Sequence, residues 1–162
     1  MDLIEFTMDH AIRLFLKESV ELELNIGDLY QLFSVKFPED SDFWWKISIE
    51  EMNHAALIES INDIFWTDLL PFESLEKQTE DLRKINLIVK ERIEQYKLFP
   101  PTRLEAFKNG SEFENSIGES HFEVFMTSAP DSPVVKIFQK LNGEDKNHAA
   151  RIESYMNNNG LA

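Results

Sequence analysis

The amino-acid sequence predicts an all-α fold, a four-helix bundle made of two duplicated helix pairs with an additional helix in the crossover. Three observations predict it. Glycine and proline are scarce, 5 and 6 in 162 residues, and gather at a few points, as long helices joined by short loops require. Apolar residues recur at helical spacing and nowhere alternate with period two for long. An octapeptide of the first half also returns almost unchanged near the end of the chain.

The first helix is expected to start near Thr7 or Asp9 and to run to about Phe37. Pro38 ends it, and Glu39-Asp40-Ser41-Asp42 reads as a turn with N-cap candidates. A second helix is expected from about Phe43 to Trp66, before Pro71. Ser74 to about Leu98 is charged, with Leu75, Leu82, Ile85, Val89 and Ile93 in helical register, so the crossover carries an amphipathic helix. Pro100-Pro101-Thr102 opens the third long helix, expected to reach about Ser128. Ala129-Pro130-Asp131-Ser132-Pro133 is the next turn. The fourth long helix runs to about Tyr155, where Asn157-Asn158-Asn159-Gly160 is a stop signal. The chain reads as one domain, with a first helix pair over 7–66, a crossover over 67–100 and a second pair over 101–156.

Composition excludes several function classes. A net charge of -14 argues against nucleic acid or an anionic membrane as partner, because phosphate binding needs a basic face. The charge serves solubility, or turns some carboxylates inward to hold cations. Without cysteine there is no disulfide, thiolate zinc site, cysteine nucleophile or cysteine-ligated iron–sulfur centre. The acidic N-terminus is no secretory signal, and no apolar run is long enough to span a bilayer, so a cytoplasmic location is expected.

The repeat carries the chemistry. NHAALIES (Asn53 to Ser60) recurs as NHAARIES (Asn147 to Ser154), differing at one position. An acidic pair precedes each copy, Glu50-Glu51 and Glu144-Asp145. The similarity extends backward, where Lys17 to Tyr30 aligns with Lys108 to His121. This matches Glu23 with Glu114, Gly27 with Gly118 and Tyr30 with His121. Each repeat therefore offers a lone glutamate and a carboxylate-x-x-histidine: Glu23 with Glu51 and His54, then Glu114 with Asp145 and His148. Positions three apart share a helix face, so the carboxylate and imidazole of each pair reach one region together. Four carboxylates and two imidazoles suit two hard-to-borderline cations such as iron or manganese. Buried without a cation, the carboxylates repel one another, at several kcal/mol of desolvation each, and must take up protons.

A glutamate followed by Glu-x-x-His, repeated twice, resembles the motif of the ferritin-like superfamily. The spacing from Glu23 to Tyr30 and the segment LEAFKNGSEFE ending on Glu114 resemble its rubrerythrin-type branch. The resemblance covers nearly the whole chain. It implies Glu23 and Glu114 as terminal carboxylates, Glu51 and Asp145 as bridging ones, and His54 and His148 as nitrogen ligands. Tyr30 and His121 would stand beside the site, and the cofactor would be two iron ions, with manganese or zinc as alternatives. The implied activity is reduction of peroxide or oxygen, or oxidation of ferrous iron, with an unknown electron donor and a homodimer as the default association. Asp145 departs from the pattern, being one methylene shorter than glutamate, and no rubredoxin-like domain is present. A degenerate bundle with one or no metal, acting as a sensing or interaction protein, is the competing reading. Iron storage is a third.

Other residues have plainer readings. Glu144, four residues before His148, aligns with Glu50 and is expected to face away from the ligands. Glu59, Glu153 and His10 read as surface groups. Phe43, Trp44 and Trp45 read as anchors of the second helix, in the core or at a subunit interface.

Overall fold

The computed structural model describes residues 3–61, 72–120 and 132–161. Among them the structure is helical and holds no strand. Helix α1 spans Leu3–Lys36, α2 Ser41–Glu59, α3 Phe72–Leu98, α4 Arg103–Ser120 and α5 Pro133–Asn158. At 1.5 Å per residue, α1 is about 50 Å long. Helix α1 packs along α2 and α3, α4 packs along α5, and α2 meets α5 across the centre.

Local chemistry sets the start of α4 and both ends of α5. Thr102 and Glu105 form a capping box at α4: the Thr102 backbone N–H donates to Glu105 Oε2 at 2.7 Å, and the Glu105 N–H returns to Thr102 Oγ1 at 3.3 Å. Pro133 opens α5 behind an extended Ser132, where its missing N–H is of no consequence. Gly160, at φ +67°, ends α5 in the left-handed region, and the Leu161 N–H closes back on the Met156 carbonyl at 2.9 Å.

Several expected boundaries are corrected. Helix α1 begins at Leu3 rather than near Thr7 or Asp9, and Pro38–Asp40 is a short 3₁₀ turn. Helix α2 starts at Ser41 and ends at Glu59, and residues 62–66 of the expected second helix lie outside the described residues. Ser60 Oγ donates to the Leu57 carbonyl at 2.6 Å, and Ser60 and Ile61 form a turn. Asp40 caps nothing with its side chain. Its buried carboxylate instead accepts Arg103 Nε at 2.6 Å, Arg103 Nη2 at 2.7 Å and Tyr155 Oη at 3.0 Å, tying α4 and α5 to the start of α2. The expected extension of the third long helix to Ser128, and His121 with it, lies outside the described residues.

The core has two apolar ends and a polar middle. Toward the end where α1 finishes lie Tyr30, Phe33, Trp44 and Phe107, all fully buried. Toward the other lie Phe15, Leu16, Phe138 and Leu141, with the Phe15 and Phe138 rings 5.8 Å apart. Between them sit Glu23, Glu51, His54, Glu114, Asp145 and His148, each at most 4% exposed. Such a layer of ionisable groups opposes folding unless its charges are compensated. Gly27 of α1 lies against α2 beside this layer, where a Cβ would make ordinary van der Waals contact with the Ser48 carbonyl oxygen at 3.4 Å and Glu51 Cβ at 3.5 Å.

Candidate metal centre

Four helices bring the six residues together: Glu23 from α1, Glu51 and His54 from α2, Glu114 from α4, Asp145 and His148 from α5. The two imidazoles stack with centroids 5.3 Å apart and planes 10° from parallel. Both turn Nδ1 inward. His54 Nδ1 lies 3.2 Å from Glu51 Oε2, 3.5 Å from Glu23 Oε2 and 3.6 Å from Asp145 Oδ1. His148 Nδ1 lies 2.5 Å from Glu51 Oε1 and 3.7 Å from Glu114 Oε2. Glu51 thus faces both imidazoles, one oxygen to each.

Both Nδ1 atoms, Glu23 Oε1, Glu51 Oε1 and both Asp145 oxygens are buried without a hydrogen bond. Their neighbours are close but not aligned as hydrogen bonds. Orphaned buried polar atoms are rare in folded proteins, and here they converge on one space. Glu51, His54, Asp145 and His148 alone supply four donor atoms within 4.8 Å of one another, a cluster that could hold a metal ion. Donors about 2.1 Å from an ion stand at most about 4.2 Å apart, so small side-chain shifts suffice.

Electrostatics supports the same reading. Burial pushes Glu23 up to about 8, with the charge of Glu51 adding to the rise against His54. Burial raises Glu114 to about 7, and the charge of Glu51 again adds. Asp145 is driven well above the usual carboxylate range by burial and by the charges of Glu23, Glu114 and Glu51. Glu51 is the exception: burial acts to raise it, but the close facing imidazoles of His148 and His54 hold it at about 2. Burial acts to lower both imidazoles, yet the facing carboxylates raise His54 and His148 to about 11. Without metal, protons supply the positive charge that cations would otherwise bring.

The outer edges of the imidazoles reveal two residues whose role the sequence did not show. His148 Nε2 lies 2.8 Å from Glu50 Oε2, and His54 Nε2 lies 3.1 Å from Glu144 Oε2. Glu144 does face away from the candidate ligand space, as expected, and so does Glu50, but each reaches the histidine of the other helix pair. Arg151 grips Glu50 through both terminal nitrogens, and Lys140 Nζ lies 3.5 Å from Glu144 Oε1. Glu50, Glu144 and Lys140, with Asn53, Gly143 and Asn147, line a surface hollow of about 710 Å³ that the two imidazoles also border. The repeated position of Glu50 and Glu144, one residue before each candidate ligand carboxylate, was the available signal.

Tyr30 is fully buried and donates from Oη to Glu114 Oε1 at 2.5 Å. It comes from the first helix pair and serves the lone glutamate of the second. Glu59, Glu153 and His10 are exposed, Trp44 is buried and Trp45 is half-exposed.

No protein-family model matches the chain, no curated protein is similar to it in sequence, and no solved structure matches its fold. Among the described residues, no helix is long and apolar enough to cross a membrane.

Proposed function

We propose that the chain is a dinuclear metal protein of ferritin-like, rubrerythrin type, holding two iron ions and reducing peroxide or oxygen. One observation carries this reading: two buried histidines aim unpaired Nδ1 atoms at four buried carboxylates, while their Nε2 edges are occupied by Glu50 and Glu144. A pair of ferrous ions bound there would supply two electrons to an O–O bond. Glu23, Glu51, Glu114 and Asp145 would hold the ions through their carboxylates, and His54 and His148 would be the nitrogen ligands. Glu50 and Glu144 fix the imidazole tautomers by accepting Nε2–H, which leaves the Nδ1 lone pairs to the metal. Tyr30 holds Glu114 in place, and the hollow between Glu50 and Glu144 admits small polar substrates.

Anaerobic loading with ferrous iron tests the reading. The expected outcome is about two ions bound per chain and consumption of added peroxide. No ion bound and no peroxide consumed would refute it. The compact set Glu51, His54, Asp145 and His148 favours a second reading, a single ion held by both helix pairs. A stoichiometry of one ion per chain would select it.

A further inference from the structure

Helices α1 and α2 carry matching stripes on one outer side. On α1 the stripe is Leu24, Asp28, Gln31 and Val35; on α2 it is Trp45, Ile49, Met52 and Ala56. Both step along the chain by four, three and four residues, which keeps each stripe on one side of its helix over about three turns. The stripes lie side by side. Asp28, Gln31, Val35 and Trp45 border one surface hollow of about 910 Å³, and Met52 Cγ lies 3.6 Å from where a Gly27 Cβ would stand. Leu24, Val35, Trp45 and Ile49 are 39–72% exposed. Asp28 is the one charged residue among the eight, in a chain of net charge -14.

Single exposed apolar residues need no explanation, but a continuous apolar face does. The internal repeat supplies the comparison. Its alignment matches Leu24 with Asn115, Trp45 with Gln139, Ile49 with Gly143 and Met52 with Lys146. The second helix pair thus fills the corresponding exposed or half-buried positions with polar residues or glycine. Folding of the helix pair does not require apolar side chains there, and leaving them in water gains nothing. The first pair therefore keeps them for a contact that the second pair does not make.

We infer that this face binds a second copy of the chain, α1 against α1 and α2 against α2, each pair antiparallel. Both stripes are self-complementary in that arrangement. Reversing α2 sets Trp45, the largest side chain of its stripe, over Ala56 of the second copy, the smallest, and sets Ile49 over Met52. Reversing α1 sets Leu24 over Val35 and Asp28 over Gln31, whose amide N–H groups donate to the carboxylate. The reversal also keeps the two Asp28 carboxylates apart. Two copies of charge -14 repel least where their surfaces carry least charge, as here. At about 17 Å along each stripe and about 20 Å across two helices, the face would bury on the order of 600 Å² from each copy, which reaches the range of specific interfaces. Such a two-fold contact closes at two copies. It does not involve the acid–histidine layer, so it stands apart from the function proposed above.

Sedimentation velocity on the full chain should show a species of twice the 19.0 kDa mass of one chain. Trp45→Glu and Ile49→Glu each place a charge in the contact and should weaken the dimer at least about 30-fold. Lys146→Glu, at the position of the second helix pair that matches Met52, should leave it intact. All three positions are exposed, and circular dichroism verifies that each variant is folded. The arrangement itself is tested with Leu24→Cys/Val35→Cys in this cysteine-free chain. Within one α1 the two positions stand about 17 Å apart, beyond the reach of a disulfide, so oxidation should link two chains. Leu24→Cys alone should leave them unlinked. A species of 19.0 kDa at every concentration, or a dimer that both glutamates leave intact, would overturn the inference. A double-cysteine protein that fails to crosslink would overturn the antiparallel arrangement.

Discussion

Glu50 of α2 and His148 of α5 belong to different helix pairs, and Glu50 Oε2 meets His148 Nε2 at 2.8 Å. Glu144 of α5 does the same for His54 of α2 at 3.1 Å. Each pair thus orients the imidazole of the other. Replacing Glu50 or Glu144 with Ala is expected to weaken metal binding about 10- to 100-fold while leaving the helical content unchanged. Competition against a chelator of known affinity measures this. Wild-type affinity in both variants would remove the orienting role.

Asp145→Asn should separate stability from binding. Asp145 is buried with both oxygens unpaired and its charge opposed by three neighbouring carboxylates. An amide there has no carboxyl that must either stay charged or take up a proton on folding, so it should raise the melting temperature of the metal-free protein by several degrees, at about 2–4 °C per kcal/mol for a chain of this size. The same change should reduce the bound metal. Asp145→Glu, which restores the reach of a glutamate, should keep the metal or bind it more tightly. Calorimetry and metal analysis on the two variants check both halves.

The pH dependence follows from the raised groups. Glu23, at about 8, and Glu114, at about 7, hold protons in the folded metal-free chain that the unfolded chain releases near 4.5. His54 and His148 hold theirs to about 11, against 6.5 unfolded. The stability these groups give is complete below the unfolded values and is lost as pH rises through the folded ones. The metal-free melting temperature should therefore fall steadily above about pH 5. Glu51, held at about 2, acts in the opposite sense, and its contribution is lost only in acid below about pH 4.5. Because metal must displace the protons, affinity should rise between about pH 6 and pH 8. Thermal melts and binding isotherms across that range read both trends.

Two helical glycines should respond oppositely to alanine. A Cβ at Gly110 would press on Trp44 at 3.0 Å and on Ile152 at 3.3 Å, so Gly110→Ala is expected to cost about 1–3 kcal/mol. Gly143 has nothing within 4 Å of its Cβ position, so Gly143→Ala should stabilise α5 by about 0.5–1 kcal/mol. Urea denaturation distinguishes them.

The all-helical fold was legible in apolar spacing and in where proline and glycine fall. The breaks at Pro38, Pro100-Pro101 and Gly160 lie within two residues of the observed helix ends. The end of α2 was not legible, because a serine folding back on its own helix leaves no mark on apolar periodicity. The repeat placed two histidines on matching faces, and the structure brings them together with all four carboxylates. Spacing along one helix says which face a residue occupies, but not which helix it meets. That is why Glu50 and Glu144 went unassigned, why Asp40 was read as a cap rather than the partner of Arg103 and Tyr155, and why the reach of Tyr30 to Glu114 needed the fold.

The most direct test is where metal sits. Crystals grown with ferrous iron under anaerobic conditions, measured at the iron absorption edge, should show two anomalous peaks in the layer between His54 and His148. Both peaks should contact Glu51, and Nδ1 rather than Nε2 of each histidine should be the ligand atom. Iron confined to surface carboxylates, with that layer empty, would contradict the assignment.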